Sequence, residues 1–154
     1  MMRNLKKLIN KLKDKKLKIS VVESCSGGYL SYLLTKIPNS SKVFKGGIVA
    51  YTLEIKNKFF KIPFSILEKT EGVSKEIALL LAKKVKKIFN TDISVSIVGF
   101  AGPSARKGIK AGTVYIGLCY KNYSEVKKIF IKGNRDTVRK EASNFAVDLI
   151  YKNI

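Results

Sequence analysis

The stretch from Lys18 to Leu30, reading Lys-Ile-Ser-Val-Val-Glu-Ser-Cys-Ser-Gly-Gly-Tyr-Leu, constrains the fold more than any other part of the chain. Ile19, Val21 and Val22 are apolar and β-branched, as a buried strand requires. Ser24 to Gly28 are small enough to turn sharply into a helix. A strand-turn-helix unit of this kind sets backbone N–H groups and the positive end of a helix dipole at the carboxyl edge of a sheet, where open α/β folds bind ligands. It presents two hydroxyls and a thiol there. The plain alternative is that Gly27 and Gly28 only make the turn, Ser26 only caps the helix and Cys25 only packs.

Helical and extended patterns alternate along the rest of the chain. Leu5, Leu8, Ile9 and Leu12 predict an amphipathic helix over 2–16, and Tyr29, Leu30, Leu33 and Leu34 a second from Gly27 to Lys36, ended by Pro38 and Asn39. Val43 to Tyr51 reads as a strand whose Gly46 and Gly47 indicate a bulge or a close backbone approach. A helical stretch through Glu54, Lys56, Phe59 and Phe60 breaks at Pro63, and a short turn covers Phe64 to Lys69. Ser74 is an N-cap candidate for a long helix with Ile77, Leu80, Leu81 and Val85 inward. Strands follow at 93–99, Thr113–Tyr120 and Val126–Ile131, the last two joined by a hairpin around Asn122, with a loop from Phe100 to Ala111. Gly133-Asn134 opens a final helix with Val138, Ala142, Phe145, Leu149 and Ile150 inward. These elements predict a single three-layer α/β/α domain over 1–154, with a mixed sheet of about five strands.

Composition narrows the chemistry. There is no histidine among the 154 residues, which removes Ser-His, Cys-His and His-ligated metal arrangements. A base would have to be Lys, Tyr, Asp or Glu. Cys25 and Cys119 are expected as free thiols, and no apolar run approaches a membrane span, so a cytoplasmic protein is expected. The net charge of +20 makes nucleic acid a candidate partner. However, only four cations are arginines (Arg3, Arg106, Arg135, Arg139), and the lysines fall mostly on polar helix faces. Base contact usually leans on Arg and stacked aromatics, so this composition argues against a dedicated nucleic-acid role.

Four blocks, in order, resemble one family. Glu23-Ser24-Cys25-Ser26-Gly27-Gly28 is similar to the Glu-Ser-Cys-Thr-Gly-Gly motif of the CinA C-terminal domain family, which includes stand-alone nicotinamide mononucleotide amidohydrolases. Ser40 to Phe44 with Gly46 to Tyr51, Glu54 and Lys56 resembles its second block. Gly99 to Pro103 with Gly112 to Gly117 resembles the third, and Gly133-Asn134-Arg135 with Val138, Arg139 and Ala142 the last. The comparison is to the single-domain form, without the N-terminal domain of larger members.

The resemblance implies hydrolysis of the carboxamide of nicotinamide mononucleotide to nicotinate mononucleotide and ammonia, with no metal or other cofactor. It makes Ser24 the nucleophile, Lys56 its base and Tyr51 a proton relay or orienting hydroxyl. Without it, Lys56 would be one solvated lysine among 27 and Tyr51 a strand-end aromatic. N–H groups around Ser26, Gly27 and Gly28 are the expected oxyanion donors. The substrate phosphate is expected on the loop from Gly102 to Thr113, or on Arg135 or Arg139, although Arg139 could instead pair with Glu141 or Asp136. Cys25 is a rival nucleophile of lower rank. A homo-oligomer is left open.

Several positions depart from the family pattern. Leu53 replaces a polar residue, usually Asn, which would cost a hydrogen bond near Lys56. The loop Ser104–Ala111 lacks an acidic-Gly-Gly run and ends in Ala instead of Val, while Ser26 stands for Thr and Asn134 for Asp. These changes motivate a second reading, a non-catalytic nucleotide-binding member of the same family; the +20 charge motivates a third, a basic nucleic-acid-binding module.

Overall fold

The computed structural model describes residues 2–154, so Met1 of the expected 1–154 domain lies outside the described residues. In chain order the elements are α1 (Met2–Asp14), β1 (Ile19–Glu23), α2 (Tyr29–Thr35), β2 (Phe44–Val49), α3 (Leu53–Phe60), α4 (Phe64–Leu67), α5 (Lys75–Phe89), β3 (Ile93–Gly99), β4 (Thr113–Tyr120), β5 (Tyr123–Phe130) and α6 (Arg135–Asn153). Short 3-10 turns at Ser40–Lys42 and Glu68–Thr70 complete the set.

The strands form one mixed sheet in the order β2-β1-β3-β4-β5. β2, β1 and β3 are parallel, and β4 and β5 are antiparallel. Strand alternation divides the apolar side chains between two cores. Ile19, Val21, Ile93, Val95 and Ile97 pack with α1, α2 and α6, whereas Val22 and Val98 pack with α3, α4 and α5. The expected three-layer α/β/α architecture with a mixed five-stranded sheet is therefore present. Among the described residues no helix is long and apolar enough to cross a membrane.

Small and polar residues bring α5 close to the sheet. Ser94 Oγ donates to Ala82 O and Ser96 Oγ to Ala78 O, each at 2.6 Å. A Cβ on Gly117 would lie 2.6 Å from Ala78 O, so a larger residue there would push the helix away. At the other edge, the register between β1 and β2 shifts between Ile19 and Ser20, and Gly46 sits at φ 151°, which is the expected bulge. Gly47 supplies the close approach as well, since a Cβ there would lie 2.6 Å from Val21 Cγ2.

The caps expected at Ser74 and Asn134 are formed, accepting from the N–H groups of Ile77 (3.1 Å) and Thr137 (2.9 Å). Several expected boundaries move for identifiable reasons. α2 starts at Tyr29, not Gly27, because Gly27 (φ 59°) and Gly28 (φ 97°) are left-handed. β2 ends at Val49, not Tyr51, and Thr52 is instead the cap of α3, its hydroxyl accepting from Ile55 N–H at 3.3 Å. β5 begins at Tyr123, not Val126, because its exposed edge position lets polar residues enter the strand. The hairpin turn places Lys121 at φ 53°. Leu80 is only half-buried, and Phe145 sits at the surface of α6.

Candidate active site

The carboxyl end of β1 carries Ser24, held in place by its N–H bond to Ile97 O of β3 (2.9 Å). Beside it, the second turn of α3 delivers Lys56 from the end of the neighbouring strand β2. Lys56 Nζ donates to Ser24 Oγ at 3.0 Å and to the Tyr51 carbonyl at 3.2 Å. Lys56 is 2% exposed, and burial lowers its pKa from 10.5 to about 8. Its stem passes Gly72, whose Cβ, if present, would lie 3.4 Å from Lys56 Cδ and Cε. The solvated lysine suggested by composition alone is thus a buried amine facing a buried hydroxyl.

Glu23 builds the turn that positions Ser24. Its carboxylate is fully buried. One oxygen accepts from Ser26 Oγ (2.7 Å), Gly28 N–H (3.1 Å) and Leu30 N–H (3.0 Å), and the other from Ser31 N–H (2.8 Å) and Ser31 Oγ (2.7 Å). The otherwise orphaned donors at the start of α2 therefore bond to the residue preceding the serine. Ser26 does not cap α2; its hydroxyl bonds to Glu23. The sequence reading gave Glu23 only the end of the strand. The signal was a carboxylate closing a strand built mainly of Ile and Val, which must find donors if it is buried.

These bonds determine which N–H groups remain. Gly27 N–H donates to Ser24 O (3.0 Å) and Gly28 N–H to Glu23. Among the described residues, the N–H groups of Cys25 and Ser26 have no backbone acceptor. Both directly follow the serine. The Cys25 thiol is buried, and burial pushes its pKa up to about 12, which disfavours the thiolate a rival nucleophile would need.

A cavity of about 340 Å³ opens over this pair, within the range of small-molecule sites. Ser24, Lys56, Tyr51, Gly102 and Arg135 line it. Arg135 donates to Gly102 O and to Tyr51 Oη, each at 2.6 Å, linking the start of α6 to both other elements. The Tyr51 hydroxyl is therefore bonded to Arg135, while its carbonyl holds Lys56. Arg139 donates to Ser26 O at 3.3–3.4 Å and makes neither of its candidate ion pairs; Asp136 is paired with Lys140 instead. Arg139 and the buried Thr113 do not line the cavity. Arg106, which belongs to the loop expected to take the phosphate, lines it too, and so does Glu71, which the sequence did not point to. Leu53 joins the apolar cluster of α3 and α5, and the Lys56 amine has its two partners without a polar residue at that position.

The CinA C-terminal domain model matches residues 2–154. A CinA-like protein of Thermosipho melanesiensis is 39% identical over 136 residues, covering 86% of this chain and 34% of that protein. A CinA-like protein of Dictyoglomus turgidum is 36% identical over 148 residues, covering 96% of this chain and 36% of that protein. The chain thus spans about a third of the length of the curated relatives it matches. The crystal structure of a competence or damage-inducible protein from Enterobacter asburiae aligns with a TM-score of 0.94 at 29% identity, covering 98% of this chain and 96% of that one. A competence-damaged protein (CinA) superfamily protein from Escherichia coli aligns with a TM-score of 0.91 at 27% identity, covering 97% and 88%. With the match running through every block around the Ser24–Lys56 pair, the chain belongs to the CinA C-terminal domain family.

Proposed function

We propose that this chain is an amidohydrolase that converts nicotinamide mononucleotide to nicotinate mononucleotide and ammonia. The observation that carries the reading is the buried Lys56 amine 3.0 Å from Ser24 Oγ, with its pKa lowered to about 8. A lysine in that range supplies a neutral amine near physiological pH, which an exposed lysine does not.

In this mechanism neutral Lys56 takes the hydroxyl proton as Ser24 Oγ attacks the carboxamide carbon. The N–H groups of Cys25 and Ser26 receive the developing oxyanion. Lys56, now an ammonium, returns the proton to the departing nitrogen, and ammonia leaves an acyl-Ser24 ester. Water attacks the ester with Lys56 again as base, releasing the carboxylic acid and restoring Ser24. Tyr51 orients the base through its carbonyl, and its hydroxyl extends the polar wall through Arg135.

The test is ammonia release from nicotinamide mononucleotide by the purified chain in the presence of a chelator, beside Ser24→Ala. Release that is lost in the variant is expected. Equal release from both proteins would refute the serine mechanism, and no release from folded wild type would favour the non-catalytic nucleotide-binding reading.

A further inference from the structure

We propose that Arg106 is the cation that receives the substrate's phosphate, and that it does so by exchanging the carboxylate of Glu71 for the incoming phosphate monoester. This rests on the amidohydrolase reading above, because that reading supplies a substrate with a phosphate at one end and a carboxamide at the other. With the carboxamide at Ser24, the phosphate must find a positive group elsewhere on the same cavity.

Three arginines surround the site, and their partners distinguish them. Arg139 is directed at Ser26 O behind the turn and does not line the cavity. Arg135 lines it, but both terminal nitrogens of its guanidinium already donate at 2.6 Å, to Gly102 O and Tyr51 Oη. Moving Arg135 onto a phosphate would break the links between α6, the Gly102 loop and Tyr51. Arg106 lines the same cavity and has a replaceable partner. Its Nη1 meets Glu71 Oε2 at 3.2 Å, with the two side chains 64% and 33% exposed. An ion pair so open to water contributes little stability. A phosphate monoester carries more negative charge than the carboxylate it would displace, and it accepts the planar guanidinium through two oxygens at once.

The backbone beneath Arg106 is held in place. Arg106 and Ile109 exchange both main-chain hydrogen bonds, at 3.1 and 2.8 Å. Between them Lys107 (φ 50°) and Gly108 (φ 72°) turn with left-handed geometry. This is a two-residue hairpin of the primed type, favoured by a glycine at its second position. The stretch that departs from the family's acidic-Gly-Gly pattern is thus a small rigid stalk carrying a movable guanidinium at the cavity wall. There Glu71 is the partner that the phosphate would replace.

The experiment compares nicotinamide mononucleotide with nicotinamide riboside, which lacks the phosphate, as substrates of the full chain. The readout is the ratio of their kcat/KM values. Arg106→Ala is expected to lower that ratio by about ten- to a hundredfold, the usual loss for a charge-assisted contact. Glu71→Gln is expected to raise it by removing the competing carboxylate. An equal loss on both substrates would make Arg106 a structural residue and overturn the proposal, as would an unchanged ratio in Arg106→Ala. A Glu71→Gln ratio at or below wild type would overturn the exchange. If wild type turns over neither substrate, the amidohydrolase reading fails, and calorimetry with the same two compounds then decides. Preferential binding of the mononucleotide that disappears in Arg106→Ala would support the phosphate contact, and binding unaffected by the variant would overturn it.

Discussion

Replacing Lys56 with methionine should stabilise the protein while abolishing catalysis. Lys56 is buried, and its pKa falls from 10.5 in the unfolded chain to about 8 in the fold. Below pH 8 the fold therefore holds a charged group that water would solvate better, at a cost of about 3 kcal/mol. Methionine has a similar volume and no charge, but it gives up the Nζ bonds to Ser24 Oγ and Tyr51 O, an offset of about 1 kcal/mol. The net expectation at pH 6.5 is a variant about 2 kcal/mol more stable than wild type. As pH rises above 8, Lys56 loses its proton in the fold while the unfolded chain keeps it until about 10.5. The unfolded state then binds more protons, so wild-type stability climbs with pH. By pH 9.5 that climb amounts to about 2 kcal/mol, and the two proteins should converge. Urea unfolding of both proteins at the two pH values measures the gap directly. A gap that is the same at both pH values, or a wild type more stable at pH 6.5, would refute the assignment of Lys56 as a desolvated base.

Three further outcomes follow from the same geometry. If Lys56 must be neutral to act, kcat/KM for the mononucleotide should rise with pH through an inflection near 8, as a pH-rate profile would show. Glu23→Gln leaves hydroxyl and N–H donors of the turn facing an amide nitrogen, so it should lose about 3 kcal/mol of stability in denaturant titration, and ammonia release should fall with it. Cys25→Ala should keep activity within about tenfold of wild type, because a thiol pushed up to about 12 contributes no thiolate near neutral pH; loss as complete as in Ser24→Ala would reinstate the cysteine.

The sheet and its helices were legible because their signals are local and repeated. Val and Ile runs mark β1 and β3, helical spacing marks α1 and α5, and Ser74 and Asn134 announce their helices before any tertiary contact is known. Boundaries set by long-range packing were less visible. Tyr123 to Glu125 join β5 because β4 lies beside them, not because their composition favours a strand. The Ser24–Lys56 pair was legible through the family resemblance, since nothing in the sequence separates Lys56 from the other lysines until α3 is folded against β1. The bonds of Glu23 and the Glu71–Arg106 ion pair were hidden because each depends on partners that folding brings together. Arg139 illustrates the limit in the other direction. A helical surface position suggested ion pairing, and the fold turned its guanidinium towards the Ser26 carbonyl.

β2 is an edge strand, bonded in the sheet only to β1, and α3 with its Lys56 hangs from its end. Ser24 instead follows β1, which has neighbours on both sides. The two halves of the Ser24–Lys56 pair are therefore anchored with unequal security, one in the middle of the sheet and one on its margin. Local opening of that margin would separate amine from hydroxyl while the central strands stayed paired. On the proposed mechanism, heat should end ammonia release by loosening one peripheral segment before the whole domain melts.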